Sequence, residues 1–203
     1  MDVQTLLTYK NDEDNLADGL TENDIKFIVS ELASKNDESR YIAFKTLLIR
    51  SELHNDVYPY FNDFISKLYN ENSYQRSIGI MLIAKNIKWD EDNIFNEVYD
   101  DYFKHFDDEK FITSRQTIQS VADWISYKPE LAKETADALM SVDINSYKDT
   151  QKSLLLCDIF NILIQIYKLS PSENINNYLN KNIQIGLLSK DKVKKYTDII
   201  SSL

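Results

Sequence analysis

Cysteine, proline and glycine are scarce in this chain: of its 203 residues one is cysteine, three are proline and three are glycine. The lone Cys157 excludes an internal disulfide framework and a thiolate cluster for iron–sulfur ligation, since both need several sulfurs. With so few glycines and prolines, the many tight turns of a sandwich or barrel lack their usual residues. Helices joined by short polar turns suit the composition better. Histidine is scarce too. His54 and His105 are the only two, and no cysteine or second histidine stands at metal-ligand spacing from either, so no metal site is expected.

No apolar run approaches the ~18 residues that a membrane span needs. The first twenty residues carry Asp2, Lys10, Asp12, Glu13, Asp14 and Asp18, which leaves no apolar stretch of a secretory signal. A cytoplasmic protein without a membrane segment is expected. A Gly-rich phosphate loop, a Gly-x-Ser-x-Gly elbow and a kinase signature are all missing. The acidic runs Asp12 to Asp18 and Asp90 to Asp92 place Leu16 and Ile94 where a calcium loop needs oxygen ligands, so they read as solvated turns and caps. The expectation is a chain that is not an enzyme and needs no cofactor. Positive charge is also in the minority, with 23 Lys and Arg against 33 Asp and Glu and a net charge of -10. That field repels phosphate backbones unless the cations are segregated on one face, which disfavours nucleic acid as a partner.

What the chain does have is helical periodicity. Between residues 21 and 168 apolar residues recur at helical spacing in eight consecutive segments. Ile94, Phe95, Val98, Tyr99, Tyr102, Phe103 and Phe106 form the clearest stripe and predict a helix over 91–106. Ile78, Met81, Leu82 and Ala84 predict another over 73–87. Thr21 with Asp24, and Thr113 with Gln116, have capping-box spacing. Asp90 can cap the helix after it, and Pro59 and Pro129 stand in first turns, where a missing amide hydrogen is harmless.

These segments pair as 22–34 with 39–50, 57–69 with 73–87, 91–106 with 112–126, and 129–141 with 148–168, giving four helical hairpins. Arg40, Arg76, Arg115 and Lys152 stand near the start of each second helix at intervals of 36, 39 and 37 residues, a period of the kind helical solenoids show. Residues 1–20 read as an N-terminal cap with a short apolar patch, Val3, Leu6 and Leu7, and an acidic turn at Asn11 to Asp14. Residues 172–203 read as a C-terminal cap whose two short helices break at Gly186 and resume after Ser189. The expected fold is all-α: a right-handed α-α superhelix of HEAT- or armadillo-like hairpins with terminal caps, forming a single domain.

The stretches Asn72 to Arg76, Ala84 to Asp90 with Trp89, and Asp107 to Gln116 resemble a family of small bacterial HEAT-like repeat proteins, over roughly residues 36–168. Two departures, Phe111 where a proline is usual and Thr117 where cysteine is common, leave a helical hairpin undisturbed. The resemblance implies the same superhelical fold. A more distant architectural likeness is to the HEAT-like alkylpurine DNA glycosylases, whose catalytic residues do not align to this chain.

Four residues stand out as binding candidates: Arg40, Arg76, Trp89 and Arg115. The arginines can form a basic ladder for a phosphate or an acidic peptide, or they can tie each hairpin to acids of neighbouring turns such as Asp37, Glu71, Asp107 and Asp108. Trp89, between Lys88 and Asp90 at a helix end, can anchor a partner, whereas Trp124 is in phase with Ile118 and Val121 and reads as core. Cys157, after Leu154 to Leu156, reads as an inert buried thiol. Lys190 to Lys195 read as an exposed helix face. The leading functional expectation is a non-enzymatic module that binds a protein or peptide along its helical array. The alternatives are a DNA-binding enzyme of the glycosylase type and an accessory factor in iron–sulfur assembly.

Overall fold

Capping chemistry sets where the helices begin. Thr21 accepts the Asp24 amide at 3.3 Å while the Asp24 carboxylate accepts the Thr21 amide at 3.1 Å, so the expected capping box forms. The computed structural model describes residues 1–203 and holds twelve α-helices, six short 3-10 turns and no strand. The helices are α1 (Val3–Leu7), α2 (Glu13–Asp18), α3 (Glu22–Glu31), α4 (Asp37–Leu53), α5 (Phe61–Ser66), α6 (Ser73–Asn86), α7 (Ile94–Phe103), α8 (Phe111–Trp124), α9 (Ala132–Ser141), α10 (Asp149–Leu169), α11 (Glu173–Asn182) and α12 (Lys190–Ile200). The chain divides into two compact units, Met1–Asp101 and Tyr102–Leu203.

In the first unit α3 packs on α4 and α5 on α6, as the hairpin pairing expects, and α4 also packs on α6. Helices flanked on several sides must be apolar nearly all round. Accordingly α6 buries Ile78, Gly79, Ile80, Leu82, Ile83 and Ala84 in succession. The short α1 and α2 both lie against α4. Residues 11–14, expected as a turn, are shared with a helix: Asn11 takes a left-handed φ of 65° and α2 starts at Glu13. Glu13 is buried there and pairs with Lys45 of α4 at 3.4 Å, a role that its place in an acidic run did not suggest.

The predicted helix over 91–106 is shorter. Asn93 has a φ of 58°, so α7 starts only at Ile94, and a 3-10 turn, Lys104–Asp107, replaces its end. Asp90 caps it as expected, with its two carboxylate oxygens accepting the Ile94 amide at 2.8 Å and the Phe95 amide at 3.0 Å. The Tyr58 hydroxyl donates to the same carboxylate at 2.7 Å.

In the second unit α8 and α9 both pack on α10, the longest helix, and α11 packs on α9 and α10. Trp124 is fully buried, edge-on to Tyr102 with ring centroids 6.3 Å apart and stacked near Phe103 at the same separation. That placement agrees with its expected core role. The capping box at Thr113 and Gln116 does not form. The Asp108 carboxylate accepts the Lys110 amide at 2.8 Å, and α8 begins at Phe111, one residue before the expected start, which leaves Thr113 inside the helix. Cys157 is half-buried and Leu154 is exposed, so that face of α10 is less covered than its apolar run implied. The C-terminal helices break at Gly186, with a φ of 82°, and Ser189 caps α12. Tyr196 holds α12 to α10, edge-on to Phe160 and donating to the Asn161 side chain at 3.0 Å.

Candidate functional site

The same device opens α4 and α6. Asn36 accepts the Glu38 and Ser39 amides at 3.0 and 3.1 Å, and Asn72 accepts the Tyr74 amide at 2.9 Å. Each cap satisfies amides that the first helical turn leaves without a partner. Four residues after each Asn stands an arginine that reaches back to the preceding turn. Arg40 donates to the Ser34 carbonyl at 2.6 Å, and Arg76 donates to the carbonyls of Asn70 and Glu71 at 2.9 Å each. Arg40 also pairs with Asp37 and lies 4.9 Å from the centre of the Tyr74 ring. The arginine positions noticed in the sequence thus hold the two turns in shape, Arg76 through the backbone of Glu71 and not its carboxylate.

Between these turns is an open cleft of about 350 Å³ lined by Ala33, Ser34, Lys35, Arg40, Lys67, Asn70, Asn72 and Gln75. Gln75 joins its two sides. Its amide nitrogen donates to the Leu32 carbonyl at 2.8 Å and its amide oxygen accepts from the Lys67 ammonium at 2.6 Å. Lys67 is half-buried, and that burial pulls its ammonium below the ordinary lysine range, partly offset by the field of Asp63. Its close placement depends on Gly79, one turn along α6 from Gln75. A Cβ at Gly79 would stand 2.7 Å from both the Lys67 Cβ and the Phe64 carbonyl oxygen. Arg40 Nε is buried and has no hydrogen-bond partner.

Arg76 is buried beside this cleft, whereas Trp89 and Arg115 belong elsewhere. Trp89 is half-buried, donating its indole N–H to the Ser51 carbonyl at 2.9 Å with the Lys88 ammonium 4.8 Å from the ring centre. It therefore ties the end of α6 to α4. In the second unit Arg115 grips Asp158 of α10 through Nε and Nη2, and Gln119 donates to the same carboxylate at 2.9 Å. Asp107 and Asp108, its expected partners, are engaged otherwise: the Asp143 amide donates to Asp107 at 3.2 Å, and Asp108 accepts the Lys110 amide at 2.8 Å in the turn before α8.

Two exposed tyrosines stand beside cations of α4, one of them at the cleft. Tyr41 follows Arg40 and is 51% exposed, with the Lys45 ammonium 5.7 Å from its ring centre, and Tyr74 is 38% exposed beside Arg40. Reading from sequence singled out Arg40 and Arg76 but passed over Lys67, Gln75 and these tyrosines. One signal was present, since Gly79 is a glycine inside a helical pattern and so marks a close backbone approach. No protein-family model, curated protein or solved structure matches the chain.

Proposed function

We propose that the chain is a non-enzymatic, HEAT-like helical-repeat module of the cytoplasm that binds a protein or peptide partner. In this reading its hairpins are repeats of an α-α superhelix, and the partner lies across the tyrosine-flanked cleft of the first unit. The observation that carries it is the exposed Tyr74 ring beside Arg40 at the cleft, with a second exposed ring, Tyr41, beside Lys45 on the helix that carries Arg40, in a chain of net charge -10. Tyrosine buries large contact area at little entropic cost, and tyrosine and arginine dominate binding energy where they cluster. The matching Asn-to-Arg devices at 36/40 and 72/76 support the repeat reading, because equivalent residues do equivalent work one period apart.

The test is capture from native lysate by the tagged full chain, treated with nuclease and read by mass spectrometry, beside a Tyr41→Ala/Tyr74→Ala variant. A stoichiometric protein that survives nuclease and is lost with the two tyrosines is the expected result. Capture that vanishes with nuclease, or that is indifferent to both tyrosines, contradicts the reading.

A further inference from the structure

We propose that the cleft between the two turns is an oxyanion site that takes a phosphate carried on the peptide partner, with Lys67 and Arg40 as its cationic walls. The proposal rests on the peptide-binding reading above and adds the chemistry of one contact.

The balance of donors and acceptors carries it. A lysine ammonium has three donors and an arginine has five. Lys67 uses one of them, on the neutral Gln75 side chain, and has no carboxylate within ion-pair distance. Arg40 uses one nitrogen on the Ser34 carbonyl and one on Asp37, and its buried Nε has no acceptor. The side-chain acceptors of the lining are already engaged: Asn70 Oδ1 accepts the Asn72 amide and Asn72 Oδ1 accepts the Tyr74 amide, both at 2.9 Å. Ser34 Oγ accepts the Asn36 amide at 3.2 Å. The side-chain hydrogen-bonding capacity left over in the cleft is therefore that of donors, and an oxyanion supplies the missing acceptors. A half-buried ammonium without a counter-ion destabilises the fold, and such a group persists where a ligand compensates it.

The occupant is small. The chain as a whole carries a net charge of -10, and a field of that sign opposes an extended polyanion while leaving a single phosphate free to pair at short range with the cations of the cleft. Arg40 keeps one N–H on each Nη beyond its bonds to Ser34 and Asp37, and Lys67 adds a point charge, a combination that suits the several oxygens of a phosphate better than a lone carboxylate. The carboxylates nearest this chemistry do not fill the cleft. Asp37 holds one edge of Arg40 from an exposed position, Glu31 accepts from Ser39 at 2.9 Å, and Asp63 acts on Lys67 only through its field.

The experiment is calorimetric titration of the full chain with a short Gly–Ala peptide bearing one phosphoserine. Its serine and glutamate counterparts and inorganic phosphate are the comparison ligands. Lys67→Met and Arg40→Gln test the site, and Lys133→Met, a surface lysine of the other unit, is the control. The expected result is saturable 1:1 binding of the phosphopeptide, weakened at least ~10-fold by either site variant, which is the loss of one charge-assisted contact, and unchanged in Lys133→Met. Lys67→Met keeps the aliphatic stem beside Gly79, and circular dichroism checks that each variant is folded.

Absence of saturable binding, or equal weakening in the control, overturns the proposal. Equal affinity for the glutamate peptide overturns the assignment to phosphate, and equal affinity for inorganic phosphate overturns its delivery on a peptide. A flat titration alongside tyrosine-dependent capture from lysate would remove this site and leave the peptide-binding reading standing.

Discussion

Lys67 and Gly79 meet at a distance that admits no side chain on the glycine: a Cβ there would lie 2.7 Å from the Lys67 Cβ and 2.7 Å from the Phe64 carbonyl. One of the two obstacles is backbone and cannot rotate away. Gly79→Ala would gain about 1 kcal/mol of helix propensity in isolation, but the forced separation of α5 and α6 outweighs it. The expected outcome is a net loss of about 1–3 kcal/mol, the range for overpacking a core, measured by urea unfolding. Stability equal to or above that of the parent would show that the two helices can part freely.

Lys67 itself costs the fold stability. Its folded pKa is depressed, chiefly by burial. The penalty on the charged form is therefore fully present at neutral pH and fades as the pH rises through the folded pKa toward the unfolded value of 10.5. Lys67→Met is expected to raise the unfolding midpoint at pH 7, by about 2–4 °C for each kcal/mol relieved in a chain of this size. The gain should shrink as the pH approaches 10. A thermal melt series in that range checks both the sign and the trend.

How much of this was legible in the sequence varies by element. The hairpin pairing of α3 with α4 and α5 with α6 follows from apolar spacing, and Asp90, Thr21, Pro59 and Pro129 mark helix starts through local chemistry that needs no tertiary context. Other boundaries depended on contacts far along the chain or on single dihedral choices. Asn93 stops α7 from starting at 91 by adopting a left-handed φ, which asparagine tolerates but does not announce. The capping box at Thr113 fails because α8 begins at Phe111, after a turn in which Asp108 accepts the Lys110 amide. The cleft was half legible. Arg40 and Arg76 declared themselves by their period, whereas Lys67 acquires its character from burial beside α6, which no local pattern encodes.

Arg115 and Asp158 join α8 to α10 across 43 residues of chain, and Asp158 is buried with Gln119 as its other side-chain partner. Arg115→Met would leave that carboxylate uncompensated. Breaking such a pair from one side costs roughly 2–4 kcal/mol, whereas replacing both residues by apolar ones costs much less. Unfolding free energies of Arg115→Met, Asp158→Leu and the double variant form the cycle that checks this, and additive losses would deny the coupling.

Glu13 sets one acid-sensitive point in the first unit. Burial opposes its ionisation, but its own amide, the Asn11 amide and Lys45 outweigh burial and hold the carboxyl below its ordinary value. Its contribution is therefore fully present above the unfolded value of 4.5 and is lost as the pH falls through the lower folded pKa. Glu13→Gln is expected to lose roughly 1.5–3 kcal/mol at pH 7, typical of a charge-assisted hydrogen bond, and to converge with the parent chain under acid. Parallel stability curves down to pH 3 would contradict this.

The most direct test of partner binding across the cleft is hydrogen exchange of the full chain, alone and with its captured partner. The expected result is slowed exchange concentrated in the turns at 33–36 and 67–72 and in the first turns of α4 and α6. Slowing confined to the second unit, or none, would contradict the placement of the partner on this face.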